Sequence, residues 1–87
     1  MDMNRERFES EKKVDAALAL IRAEVLRAMQ NHPPMHSSHE AFGVIFEEFN
    51  VEFVAEMVAN NTELQAKEMV QVGAMAVRAL VDVYKKG

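Results

Sequence analysis

The sequence contains no cysteine, which excludes disulfide staples, thiolate zinc sites and thiol nucleophiles. Glycine occurs three times and proline twice, too few and too scattered to build a glycine-rich phosphate loop. No apolar run approaches the ~18 residues that cross a bilayer. The opening MDMNRERFESEKK lacks the apolar stretch of a signal peptide. A cytoplasmic location with no membrane partner is therefore the expectation. Positive charge is also short. Ten Lys plus Arg stand against 14 Asp plus Glu, for a net charge of −4, so no basic surface argues for nucleic acid. What is present is an 87-residue chain, 49% hydrophobic. That suffices for one small domain over residues 1–87 and is too apolar for disorder.

Both prolines lie in NHPPMHSS, residues 31–38, where they must end a helix near Asn31. Before them Val14, Leu18, Ile21, Val25 and Met29 recur at spacings of three and four, the mark of one long helix. Residues 1–6 are expected to fray. Ser37 followed by Glu40 reads as a capping box that opens a second helix. That helix carries an apolar stripe of Phe42, Ile45, Phe46, Phe49, Phe53 and Met57, with Val44, Val51 and Val58 at heptad spacing beside it. It should end at Asn60-Asn61, since asparagine tolerates left-handed geometry. Thr62 with Gln65 reads as another capping box and opens a third helix. From Met69 to Val83 this helix is apolar almost all the way round, and two short neighbours cannot surround it. The expected fold is all-α: a three-helix protomer whose helices complete an oligomeric bundle, a dimer or tetramer. Gly73, Ala74, Ala76 and Ala79 would let helices approach closely.

The second helix is also acidic. Glu48, Glu52 and Glu56 fall at i, i+4 and i+8, with Glu47 beside them, and no lysine or arginine lies between residues 28 and 66. Like charges at that spacing repel by a few tenths of a kcal/mol per pair. Glu68 and Gln71 share one side of the third helix. Two readings stand. In one, Glu48, Glu52 and Glu68 hold a divalent cation such as Mg2+ between two helices, as hard oxygen ligands do, with Glu47 in reserve. In the other, the carboxylates are a solvated acidic edge. His32, His36 and His39 cluster at the proline joint, where surface or capping roles outweigh a zinc site. Ser37 beside His39 has a capping role and no third catalytic partner.

Two blocks, HPPMHSSHEAFGVIFEEF and KEMVQVGAMAVRALVDV, resemble the MazG-like all-α nucleoside triphosphate pyrophosphohydrolases, above all the small phage and prophage members. The resemblance covers about residues 30–84. It implies an oligomeric helical bundle that splits a nucleoside triphosphate into monophosphate and pyrophosphate with Mg2+, or Mn2+ in its place. In that family an E-x-x-E pair and an E-x-x-D pair hold the metal. Glu48 matches the first glutamate and Glu68 the third. The partner positions are Val51 and Gln71 here, and Asn50 replaces an acidic residue often found there. Valine cannot coordinate a cation. The resemblance therefore implies either a site rebuilt around Glu47, Glu48, Glu52, Glu68 and Gln71, with Glu47 or Glu52 as the base, or a fold that has lost its chemistry. The corresponding functions are a Mg2+-dependent nucleotide hydrolase and a non-catalytic helical oligomer that binds nucleotide or protein. A purely structural bundle whose acidic face has no ligand is a third.

Overall fold

In the computed structural model, which describes residues 3–84, the chain is all-α, with no strand among the described residues. Helix α1 spans Met3–Asn31; Met1 and Asp2, part of the stretch expected to fray, lie outside the described residues. After the proline joint comes a second rod: α2 (Ser38–Phe46), a π-helical stretch (Glu47–Phe53) and α3 (Val54–Val58). The backbone stays right-handed helical through both junctions, at Glu47 and at Val54, so the rod is continuous. The third rod is α4 (Thr62–Ala79), whose last turns, Leu80–Tyr84, are again π-helical. Among the described residues no helix is long and apolar enough to cross a membrane.

The joints follow from local chemistry. Ser37 takes an extended conformation, and its Oγ accepts from the Glu40 amide at 3.1 Å. The Glu40 carboxylate reaches back one residue further than a simple capping box, accepting from the His36 N–H at 3.1 Å. At the second joint Asn60 has φ 58°, the left-handed conformation asparagine tolerates. The cap of α4 differs from the expectation. Asn61, not Thr62, is the N-cap, its Oδ1 accepting from the Leu64 amide at 3.1 Å. Gln65 instead donates to the Glu56 carbonyl at 3.3 Å. The turn is so tight that the asparagine pair both ends one helix and starts the next.

Helix α4 lies in the middle, with α1 against one flank and the second rod against the other. Gly73 permits the α1 contact: a Cβ there would lie 2.9 Å from Ile21 Cδ1. The buried residues are few: Val25, Ala28, Met35, Ala41, Ala74, Met75 and Ala79, together with Arg78. The aromatic stripe of the second rod does not join them. Phe42 is 70% and Phe46 51% exposed, and the two rings stack on each other at 5.9 Å on the outer surface. Phe49 and Phe53 repeat the arrangement at 5.7 Å. The first half of α1, residues 3–20, is exposed throughout.

The result is a thin body, 48 × 41 × 20 Å, essentially one layer of helices. Its radius of gyration is 15.3 Å, where a compact chain of this length has about 12 Å. Its accessible surface is 6751 Å², about 1,500 Å² above what a folded monomer of this mass exposes.

Candidate functional site

The π-helical stretch Glu47–Phe53 packs against α4 and sets the acidic residues. Glu48 and Glu52 project from it, and Glu68 comes from the second turn of α4. One carboxylate oxygen from each lies within 4.8 Å of the others. A π-helix is wound i→i+5 rather than i→i+4. Each turn takes more residues, so position i+4 falls back toward the angle that i+3 has in an α-helix. Glu52 stands one turn from Glu48 in either winding, and the π turn carries it round toward the side that position 51 would face on an α-helix. Val51 points outward and is 57% exposed.

Glu48 and Glu68 are half-buried and Glu52 is exposed. Glu48 Oε2 and Glu68 Oε2 are buried with no hydrogen-bond partner. Burial pushes the Glu48 carboxyl up to about 7, helped by the closeness of the Glu52 carboxyl and by the charges of Glu52, Glu68 and Glu47. Glu68 is raised too, by burial first, then by the charge and closeness of Glu52. Lys67 pulls the other way and Glu56 adds to the rise. Buried acceptor oxygens with no donor, drawn from two elements, suit a hard divalent cation, which prefers several oxygen ligands. The same groups without a cation are a charge cluster held at a cost.

The other expected residues are spread around this centre. Glu47 is exposed and stands outside the cluster, although its charge reaches Glu48. Gln71 lies on the α1 side, lining the same cavity as Glu48. Glu24 is held below the usual carboxylate range, chiefly by its hydrogen bond to Arg27, with Gln71 adding to the effect against desolvation. His32, His36 and His39 are exposed, and none belongs to a group placed to hold a metal among the described residues. Ser37 is occupied as a cap.

Next to the carboxylates is a cavity of about 300 Å³, lined in part by Arg27, His32, Met35, Glu48, Gln71 and Arg78. Sequence reasoning passed over Arg27 and Arg78. A signal was there for the second: Arg78 is the single cationic residue between Met69 and Val83, and a lone arginine in an apolar helical run has to be buried or hold something.

No family model matches the chain, and no curated protein and no solved structure matches it.

Proposed function

We propose that the chain is a hydrolase of nucleoside triphosphates, dependent on Mg2+ or Mn2+ and releasing monophosphate and pyrophosphate. The observation that carries this reading is the convergence of Glu48, Glu52 and Glu68 within 4.8 Å, with two of their oxygens buried and unpartnered. The resemblance of residues 30–84 to the MazG-like hydrolases supports it. Glu48, Glu52 and Glu68 would hold the cation, with the Gln71 carbonyl oxygen on the cavity side. A cation there supplies positive charge for phosphate oxygens and acidity for a water molecule. Glu47, exposed beside the cluster and not needed as a ligand, takes the proton as a water oxygen adds to the α-phosphorus. The bond to the bridging oxygen breaks, and pyrophosphate leaves with the electron pair. Glu52 is the other candidate base, but its place in the cluster favours coordination.

The test is pyrophosphate release from a panel of nucleoside triphosphates with Mg2+. Turnover that disappears in Glu48→Gln, with the helical circular dichroism retained, supports the reading. No turnover on any nucleotide at millimolar Mg2+ sinks it. A second reading, a non-catalytic helical module that binds nucleotide or protein, is favoured by Val51 and Gln71. They leave one carboxylate fewer at each expected pair. It requires binding without pyrophosphate release.

The protomer is also read as half of a larger body. Domains are ordinarily built from two packed layers, and here there is one. The excess surface of about 1,500 Å² exceeds the ~800 Å² that each partner contributes to a standard interface. A second copy of this chain, laid over Phe42, Phe46 and Phe49, supplies the missing layer.

A further inference from the structure

Arg78 is the most unusual residue in the fold. It is 5% exposed, a guanidinium in a core otherwise made of Val, Ala and Met. One Nη2 hydrogen is donated to the Pro33 carbonyl at 3.0 Å, and Nη1 contacts the Met75 Sδ at 3.6 Å, a weak acceptor. Nε is buried with no partner. Among the described residues no carboxylate pairs with this cation; the ion pairs are all on α1. Asp82, one turn further on, has its Oδ2 taken by the Met35 amide at 2.9 Å.

A buried charge is costly unless it is paired. A single carbonyl and a thioether do not offset that for a group with five donors. The remaining donors belong to a side chain that lines the 300 Å³ cavity, together with Arg27 and His32. The acidic groups on the same wall are Glu40, engaged by the His36 amide, and Glu48, already part of the carboxylate cluster. Arg27 is itself paired with Glu24, so the uncompensated charge in the cavity is that of Arg78.

We propose that the cavity is a seat for phosphate oxygens, keyed by the Arg78 guanidinium with Arg27 and His32 at its mouth, and that it binds pyrophosphate-like anions without a metal. Planar guanidinium donors match phosphate oxygens. Glu48 lines the seat and also belongs to the carboxylate cluster, so a polyphosphate with one end against Arg78 would turn its other end toward a cation that those carboxylates would hold. The anion's identity rests on the hydrolase reading; the seat itself does not.

The experiment is calorimetric titration of the full chain with sodium pyrophosphate in excess EDTA, and separately with Mg2+ alone. Saturable pyrophosphate binding in EDTA is expected. It should weaken at least tenfold in Arg78→Gln and severalfold in Arg27→Gln, an exposed position at which the fold is retained. Val51→Ala, at an outward-facing position outside both sites, should leave it unchanged. No pyrophosphate binding by the wild type at millimolar concentration overturns the proposal, as does equal binding by wild type and Arg27→Gln if Arg78→Gln does not fold. Arg78 would then be a prop for the Pro33 carbonyl. If pyrophosphate binds and Mg2+ does not, the seat stands and the metal reading falls; Mg2+ binding without pyrophosphate binding gives the reverse.

Discussion

Glu52 follows Glu48 by four residues, one turn along the rod, and their carboxylate oxygens converge with that of Glu68 within 4.8 Å across a π-helical turn. The wider winding carries Glu52 to the side that an i, i+3 spacing faces on an α-helix. Position 51, where the family resemblance looks for the second ligand, is left facing solvent.

Replacing Val51 with Ala should therefore leave Mg2+ affinity within about twofold of wild type. Glu52→Gln should weaken it at least tenfold, since losing one ligand typically costs more than ~1.4 kcal/mol, or tenfold. Calorimetry on the two variants decides. Equal affinities would mean that the π-helical register does not build the site.

The raised carboxyls predict an unusual pH dependence. A folded-state value of about 7 for Glu48 lies above the ordinary carboxyl value of 4.5. Between those values the folded chain holds a proton that the unfolded chain has released. Stability should then fall as pH rises from about 4.5 to about 7. Glu24, held low, acts the other way, but its contribution is lost only as pH falls below that window. In EDTA, Tm should be higher near pH 5 than near pH 8. Glu48→Gln should raise the Tm at the higher pH by about 4 °C or more, which is the size of a ~1 kcal/mol effect in a small domain, and flatten the slope. A Tm that rises across the window would contradict the assignment.

Sedimentation equilibrium at micromolar concentration should show a dimer or a larger closed assembly, and Tm should increase with protein concentration. Phe46→Glu, at a 51% exposed position stacked on Phe42, should shift the equilibrium toward monomer by at least tenfold. A folded monomer with a concentration-independent Tm would remove the second copy from the picture.

The caps give a separate test. Ser37→Ala and Asn61→Ala should each cost about 1 kcal/mol, read from urea denaturation. Thr62→Ala should cost little, because the Asn61 side chain holds the Leu64 amide. A Thr62 effect as large as that of Asn61 would restore the capping box the sequence suggested.

The element order was readable from punctuation. Pro33-Pro34, Ser37 and Asn60-Asn61 mark their joints because each acts locally, through its own backbone or a side chain that caps the adjoining turn, and the structure places the breaks there. The Thr62 cap was misread because Asn61 is an equally good cap one residue earlier, and only the extended backbone at Asn61 (φ −103°, ψ 95°) decides between them. The π-helical turn could not be read. Nothing in EEFNVEF demands it, although the meeting of Glu48, Glu52 and Glu68 was readable from the i, i+4 spacing of the first two. The outward face of Phe42 and Phe46 was hidden for a related reason. An apolar stripe states that something covers it, and the stripe reads the same whether that cover is this chain or another. Arg78 was passed over because an α-helical pattern scores its apolar neighbours and treats one arginine as noise.

The tie between Asp82 and the Met35 amide spans 47 residues, and that from Arg78 to the Pro33 carbonyl spans 45. During synthesis at about 5–20 residues per second, the proline joint would leave the ribosome several seconds before the residues that fix it. The rim of the cavity thus cannot take its shape before residues 78–82 are made. Its closure is a long-range event, slow by the measure of chain-loop entropy, in a body whose individual helices need no such wait.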